Sequence, residues 1–345
     1  MRFQREITTP SPLLGEDGRL NQVGWARRPL LDCNLENVSS SRVQRLRRFR
    51  TKRWDYYGVT TPDVYFSVTI ADLGYAGQVF AYLVDFADAT YHEETITLPP
   101  GRITDLPRNS TAGDATFDNG RVSVSFRVGE QGRRVRAAWP EFGGAALTAD
   151  VSLSLPSAHQ STVVVVPIGD RSFYYNRKIN CLAARGTIQI GDRTISLEPR
   201  SCLGTLDWGR GVWPYNSFWV WVSASGFTSD GGTVGLNFGS GFGDTSAATE
   251  NSLLLDGRIH KLGEVEVTYD DEHFMRPWRM RSNDGRVDLE FTPFVERAAK
   301  TNLVVIRSEV HQVFGHFEGT VTDDDGNTVV IDRLIGWAEE HHARW

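Results

Sequence analysis

Residues 204–215, GTLDWGRGVWPY, set one carboxylate, Asp207, among Trp208, Trp213 and Tyr215, with Arg210 three residues on between two glycines. A carboxyl boxed in by indole rings has two uses. Desolvation makes its charged form costly and raises its pKa, which leaves a protonated acid able to deliver a proton. Otherwise it caps a turn at a corner of the core, and the tryptophans fill the interior. An Asp207–Arg210 pair selects the second use, because a neighbouring cation lowers the pKa and ends the acid role. Directly after comes NSFWVWVSASG, whose alternation is that of a strand and puts Trp219 and Trp221 on one face. The rings of Trp208, Trp213, Tyr215, Trp219 and Trp221 can stabilise a carbocation, by about 2 kcal/mol or more for a desolvated ring. Gly209 and Gly211 imply either backbone angles closed to other residues or very close packing.

If Asp207 is held in an ion pair, Glu250 or Glu339 is the next candidate acid. Glu250 and Asn251 follow the loop GFGDTSAATEN and open a strand, a usual place for functional side chains; Asp244 in the same loop reads as a turn cap. His260, in RIHKL, is either a ligand contact or a satisfied, half-buried histidine. The ending Glu339-Glu340-His341-His342 gathers titratable groups without HExxH spacing or a cysteine beside it, so no metal site is expected. A C-terminal segment returning to rim a barrel accounts equally for Glu339, His341 and Trp345. His311 and His316 have odd spacing on a strand and face opposite ways. Trp54-Asp55-Tyr56-Tyr57 is a second aromatic–acid cluster, and Tyr57 joins the candidate binding residues. Neither GxGxxG, GxxxxGKS/T nor GxSxG occurs at the glycine-rich stretches, so nucleotide binding and serine catalysis are not expected, and no cofactor is implied.

These residues must be positioned by strands. VYFSVTIADLG and QVFAYLVDF pair across a glycine turn, and SFWVWVSASG and TVGLNFG do the same after Asp207-Trp208. Aromatic–acid corner, strand, glycine turn and strand thus occur twice, a weak internal repeat that suggests two related β-units. Short strands with DG, NG or GD turns fill the rest, and the pattern is that of an antiparallel barrel or sandwich. The predicted helices are few: a short amphipathic one over the basic stretch 42–53, through Val43, Leu46 and Phe49, and one over IGWAEEHHARW at 335–345. Residues 1–41 read as an irregular lead-in broken by Pro and Gly. The domain boundary falls near residue 200, giving units of 1–200 and 201–345.

Composition agrees. The chain has 345 residues, 33 of them Gly and 10 Trp, which suits tight-turned sheets better than helix bundles. A net charge of −6 makes nucleic acid an unfavoured partner, and the basic stretch reads as a solvated face. Cys33, Cys181 and Cys202, an odd and sparse set, argue against a disulfide framework. The start lacks a signal-peptide core and no apolar run approaches membrane-spanning length, so a cytoplasmic protein without membrane insertion is expected.

At KRWDYYGVTTPDVYFSVTIADLGY, RSFYYNRKINCLAARG, DWGRGVWPYNSFWVWVSASG, GLNFGSGFGDTSAATENSLLLDGRIHKL, DGRVDLEFTPFVER and GWAEEHHARW, the chain resembles the DUF2804 family over nearly its whole length. More distantly it resembles the AttH and carotenoid-hydratase proteins, which pair two lipocalin-like β-domains and carry an Asp–x–x–Trp–Gly motif. Here Asp207 and Trp208 are adjacent, so that motif is matched inexactly. The resemblance implies an all-β fold of two tandem lipocalin-like units. It also implies a hydrophobic ligand and acid- or pocket-driven, cofactor-free chemistry, while the substrate does not carry over. With the aromatic–acid cluster, the expected function is that of a hydratase or cyclase acting on an isoprenoid-like or other apolar molecule. The alternatives are a non-catalytic lipid- or pigment-binding protein and, less favoured, a glycan-active enzyme, since aromatic platforms with paired carboxylates also suit sugars.

Overall fold

Apolar–polar alternation interrupted by Gly, Asp and Asn leaves hairpins as the route by which backbone donors and acceptors are satisfied. The computed structural model describes residues 4–39, 49–103, 106–302 and 307–344. Among them there is no α-helix, only a 3-10 helix at Leu35–Ser39, and the chain is built on two large, curled antiparallel sheets. It is thus all-β with two lipocalin-like units. No helix among the described residues is long and apolar enough to cross a membrane.

The first sheet has 13 strands, with its main path running from Thr90–Leu98 through Gly77–Asp85, Val64–Asp72, Thr51–Thr60, Leu203–Val212 and Ser172–Ile190 to Ala145–Ser154 and beyond. The second has nine, with Thr328–Arg344 between Asn216–Phe227 and Arg307–Thr322. Each sheet wraps its own apolar core. A seam between them is filled by aromatic side chains of both: Tyr56, Tyr65 and Tyr82 from the first sheet against Trp221, Phe314 and Trp337 from the second. Polar bonds also cross it. Asn180 donates to Ser223 Oγ at 2.9 Å and to the Ala224 carbonyl at 3.0 Å, and the Cys181 N–H donates to Ser225 Oγ at 3.0 Å. A bulge between Ile179 and Leu182 lets Asn180 and Cys181 bond to the second sheet, and Cys181 takes a φ of 58° there.

Several expectations are corrected. Leu203–Val212 lies in the first sheet, so a division at residue 200 would split that sheet; the chain crosses to the second after residue 212. The two aromatic–acid clusters are not counterparts in separate units. They are cross-strand neighbours within one sheet, Asp55 opposite Trp208 and Tyr56 opposite Asp207. The segment expected to be a C-terminal helix is a central strand, Thr328–Arg344, because its apolar residues pack on both faces, against the seam and the second core. Of the basic stretch, residues 42–48 lie outside the described residues, and Lys52 and Arg53 belong to the strand Thr51–Thr60. Gly209 serves close packing: a Cβ there would sit 2.0 Å from the Trp54 ring.

Candidate functional site

Asp207 leaves its strand on the seam side and is buried, yet its partner is not Arg210. Lys178 Nζ stands 3.1 Å from Asp207 Oδ2, and Asn176 donates to Oδ1 at 2.5 Å. Lys178 also approaches Glu250 at 3.6 Å and lies 3.7 Å over the Trp221 ring. Trp221 donates its indole N–H to Asn237 at 2.9 Å, and Asn237 donates to Glu250. One buried ammonium therefore gathers two carboxylates and an indole face. A cation and an amide thus both hold Asp207 in a buried polar network, so the pairing expected with Arg210 is made by Lys178 instead.

Glu339 reaches the same seam from Thr328–Arg344. Trp219 donates to its Oε1 at 3.0 Å and Gln312 to its Oε2 at 3.2 Å. Burial pushes the Glu339 carboxyl up from its ordinary value, against the pull of Arg297. His341, two residues on and on the same face, packs at a tilt on Trp219, ring centroids 4.1 Å apart, and bonds to Ser308 Oγ at 2.9 Å. Burial, reinforced by Arg297 and His342, pushes this imidazole down to about 3. Trp213, Trp54, Tyr174 and Phe242 complete an aromatic wall beside it. The space enclosed there is small. A cavity of about 10 Å³, lined by Glu250, Tyr174 and Phe242, has room for one water.

The ligand-sized space lies elsewhere. Period-two alternation sends Glu340, His342 and Arg344 to the face opposite Glu339 and His341. There they line an open cavity of about 750 Å³ at one end of the second unit, with Phe218, Phe274, Arg307, Glu309 and His311. Glu340 accepts from the Tyr269 hydroxyl on one oxygen and meets His342 Nε2 at 3.0 Å on the other. His311 is held by Glu296 at 2.6 Å and stacks on Phe274 at 4.1 Å, while His342 packs on Phe218. Two imidazoles, each held by a carboxylate and each packed on an aromatic ring, thus stand at the wall of one cavity. Such an arrangement can take up and return protons and can grip a partly apolar molecule.

Asp207, Glu250, Glu339, Trp213, Trp219, Trp221 and His341 do meet at the seam. Trp208, Arg210 and Tyr57 point the other way, into the first unit, where Arg210 pairs with Asp55 at 2.8 Å and covers Trp208 at 4.2 Å. Tyr215 is at the surface beneath Arg50. Asn251 ties a turn, accepting from the Gly239 N–H and donating to the Gly263 carbonyl. His260 is a satisfied, buried histidine that accepts from the Asp324 N–H at 3.0 Å. Inspection of single residues missed Lys178, whose signal was a cation in the middle of the strand-like run FYYNRKINC. Glu340 and His342 were seen only as part of one C-terminal cluster, whereas strict alternation separates them from Glu339 and His341.

Residues 4–345 match the sequence profile of the family described as Domain of unknown function (DUF2804), and the chain belongs to that family. No curated protein matches it in sequence. Its structure is similar to that of an AttH-like protein from Nitrosomonas europaea, with 16% identity, 85% of this chain and 92% of the other covered, and a TM-score of 0.51. This likeness bears on the fold. Kievitone hydratase from Nectria haematococca also aligns, at 10% identity over 85% of this chain and 88% of the other, with a TM-score of 0.44.

Proposed function

We propose that the protein is a cofactor-independent enzyme of the lyase or isomerase type, acting by proton transfer on an amphipathic small molecule bound at the open end of the second unit. The observation that carries this is that Glu340, His342 and His311, the last held from behind by Glu296, line one cavity of about 750 Å³. Hydration and dehydration each need one group to give a proton and another to take one, and positioned imidazole–carboxylate pairs supply both. Phe218 and Phe274 offer the apolar contact. Arg307, Glu309 and Arg344 at the same wall favour a substrate with polar groups over a bare hydrocarbon such as an isoprenoid.

A second reading is favoured by Glu339. A buried carboxyl with a raised pKa beside Trp219 suits protonation of an alkene, and Phe242 would have to leave the seam to admit one. The test begins with mass spectrometry of small molecules that co-purify, followed by incubation of each in heavy-oxygen water to detect hydration or its reversal. Glu340→Gln should abolish turnover while ligand is retained. Loss in Glu339→Gln alone supports the seam. Ligand retention with no turnover in the native protein means a binding protein, and retention unaffected by Phe218→Ala and Phe274→Ala removes the cavity from consideration.

A further inference from the structure

The interior of the first unit carries an excess of buried positive charge. Arg133, Arg177 and Arg210 enter it from Gly132–Phe142, Ser172–Ile190 and Leu203–Val212, and none is more than 5% exposed. Arg210 is answered by Asp55 at 2.8 Å. Among the described residues, no carboxylate lies within ion-pair distance of Arg133 or Arg177. Both turn instead to a single backbone oxygen. Arg133 Nη2 donates to the Ser110 carbonyl at 2.5 Å, and Arg177 Nη1 donates to the same oxygen at 3.3 Å. Arg177 Nη1 also reaches Ser110 Oγ at 3.4 Å, and its Nε donates to Ser161 Oγ at 3.1 Å. Arg133 Nε is buried without a hydrogen-bond acceptor among the described residues. The Tyr57 hydroxyl lies against Arg133, and burial keeps it protonated as a further donor.

A buried charge is stable only when paired, and two like charges side by side with only neutral acceptors are worse placed than either alone. Burial first, and then Arg133 beside it, press Arg177 down to about 9. A packed core of this size would be served by methionine or leucine at both positions. Two guanidinium forks, one with its Arg133 Nε unpartnered, a phenol and a serine hydroxyl form instead a donor-rich cluster in which neither Arg133 nor Arg177 is paired with a carboxylate among the described residues. That donor set matches a planar or tetrahedral oxyanion, which accepts from two forks at once.

We propose that Arg133 and Arg177, with Tyr57 and Ser110, form an anion-binding site inside the first unit that takes a small carboxylate or inorganic oxyanion. The site is separate from the cavity of the second unit and does not depend on its function. The test is thermal unfolding of the full chain, dialysed free of salt, against sodium acetate, sulfate and phosphate in turn. The native protein should show a saturable rise in melting temperature with at least one of them. Saturation by acetate identifies a carboxylate ligand, and saturation by sulfate or phosphate an inorganic oxyanion. Arg133→Met and Arg177→Met should abolish the saturable rise. Tyr57→Phe, the milder change, keeps the test decisive if either arginine variant fails to fold, and should weaken the apparent affinity by about tenfold. No saturable response in the native protein overturns the proposal. So does a response that is equal in native protein and Tyr57→Phe together with either arginine variant that folds.

Discussion

Lys178 and Asp207 stand opposite each other on neighbouring strands, Nζ 3.1 Å from Oδ2, and both are buried. Removing the cation strands Asp207 and also takes a partner from Glu250. Lys178→Met should therefore cost about 3–5 kcal/mol, the range for breaking a buried pair. Asp207→Asn should cost less, because Lys178 keeps Glu250 and the Trp221 ring. Urea unfolding of the two variants checks the order, and the reverse order would contradict this account of the network.

Gly209 has no room for a side chain, since a Cβ would meet the Trp54 ring at 2.0 Å. Gly209→Ala should lose about 1–3 kcal/mol through overpacking. Gly169→Ala, where a Cβ meets nothing within 4 Å, is the control and should stay within about 0.5 kcal/mol of native. Equal melting temperatures for both variants would show that the aromatic wall yields.

His341 makes stability depend on acid. Its imidazole titrates near 6.5 when unfolded and at about 3 in the folded chain. Between these values the unfolded state binds a proton that the folded state refuses. The contribution is therefore full above about pH 6.5 and is lost as pH falls, by about 1.4 kcal/mol per unit at most. His341→Gln should remove that part of the slope, so the stability difference between native and variant should shrink steadily from pH 7 to pH 4, values spanning about that window. A pH-independent difference would place His341 in contact with solvent.

The three cysteines are buried and unpaired. Burial pushes the Cys33 and Cys181 thiols up to about 12, so thiolate is scarce at neutral pH. A thiol reagent should find no rapidly reacting cysteine in the folded protein and all three in denaturant. Rapid labelling of Cys181 under native conditions would mean that the seam opens.

The kind of fold could be read from the chain alone. Alternating runs such as RVSVSFRV and hairpin signals such as Asp256-Gly257 act over a few residues, and local sterics decide them without help from the rest of the molecule. The seam tryptophans Trp219 and Trp221 were legible for the same reason, since two residues on a strand share a face. What Asp207 does was not legible. Its partner Lys178 is 29 residues away and meets it only because two strands are in register. Arg210, three residues along the chain, alternates onto the other face and finds Asp55, 155 residues distant. The same alternation separates Glu339 from Glu340, one facing the seam and one the cavity. Which face is which depends on where the second sheet lies. Composition and spacing thus determined strands, turns and the pool of chemical groups. Only tertiary structure decided which carboxylate meets a cation and which meets open space, because charge pairing and burial are set by neighbours far apart in sequence.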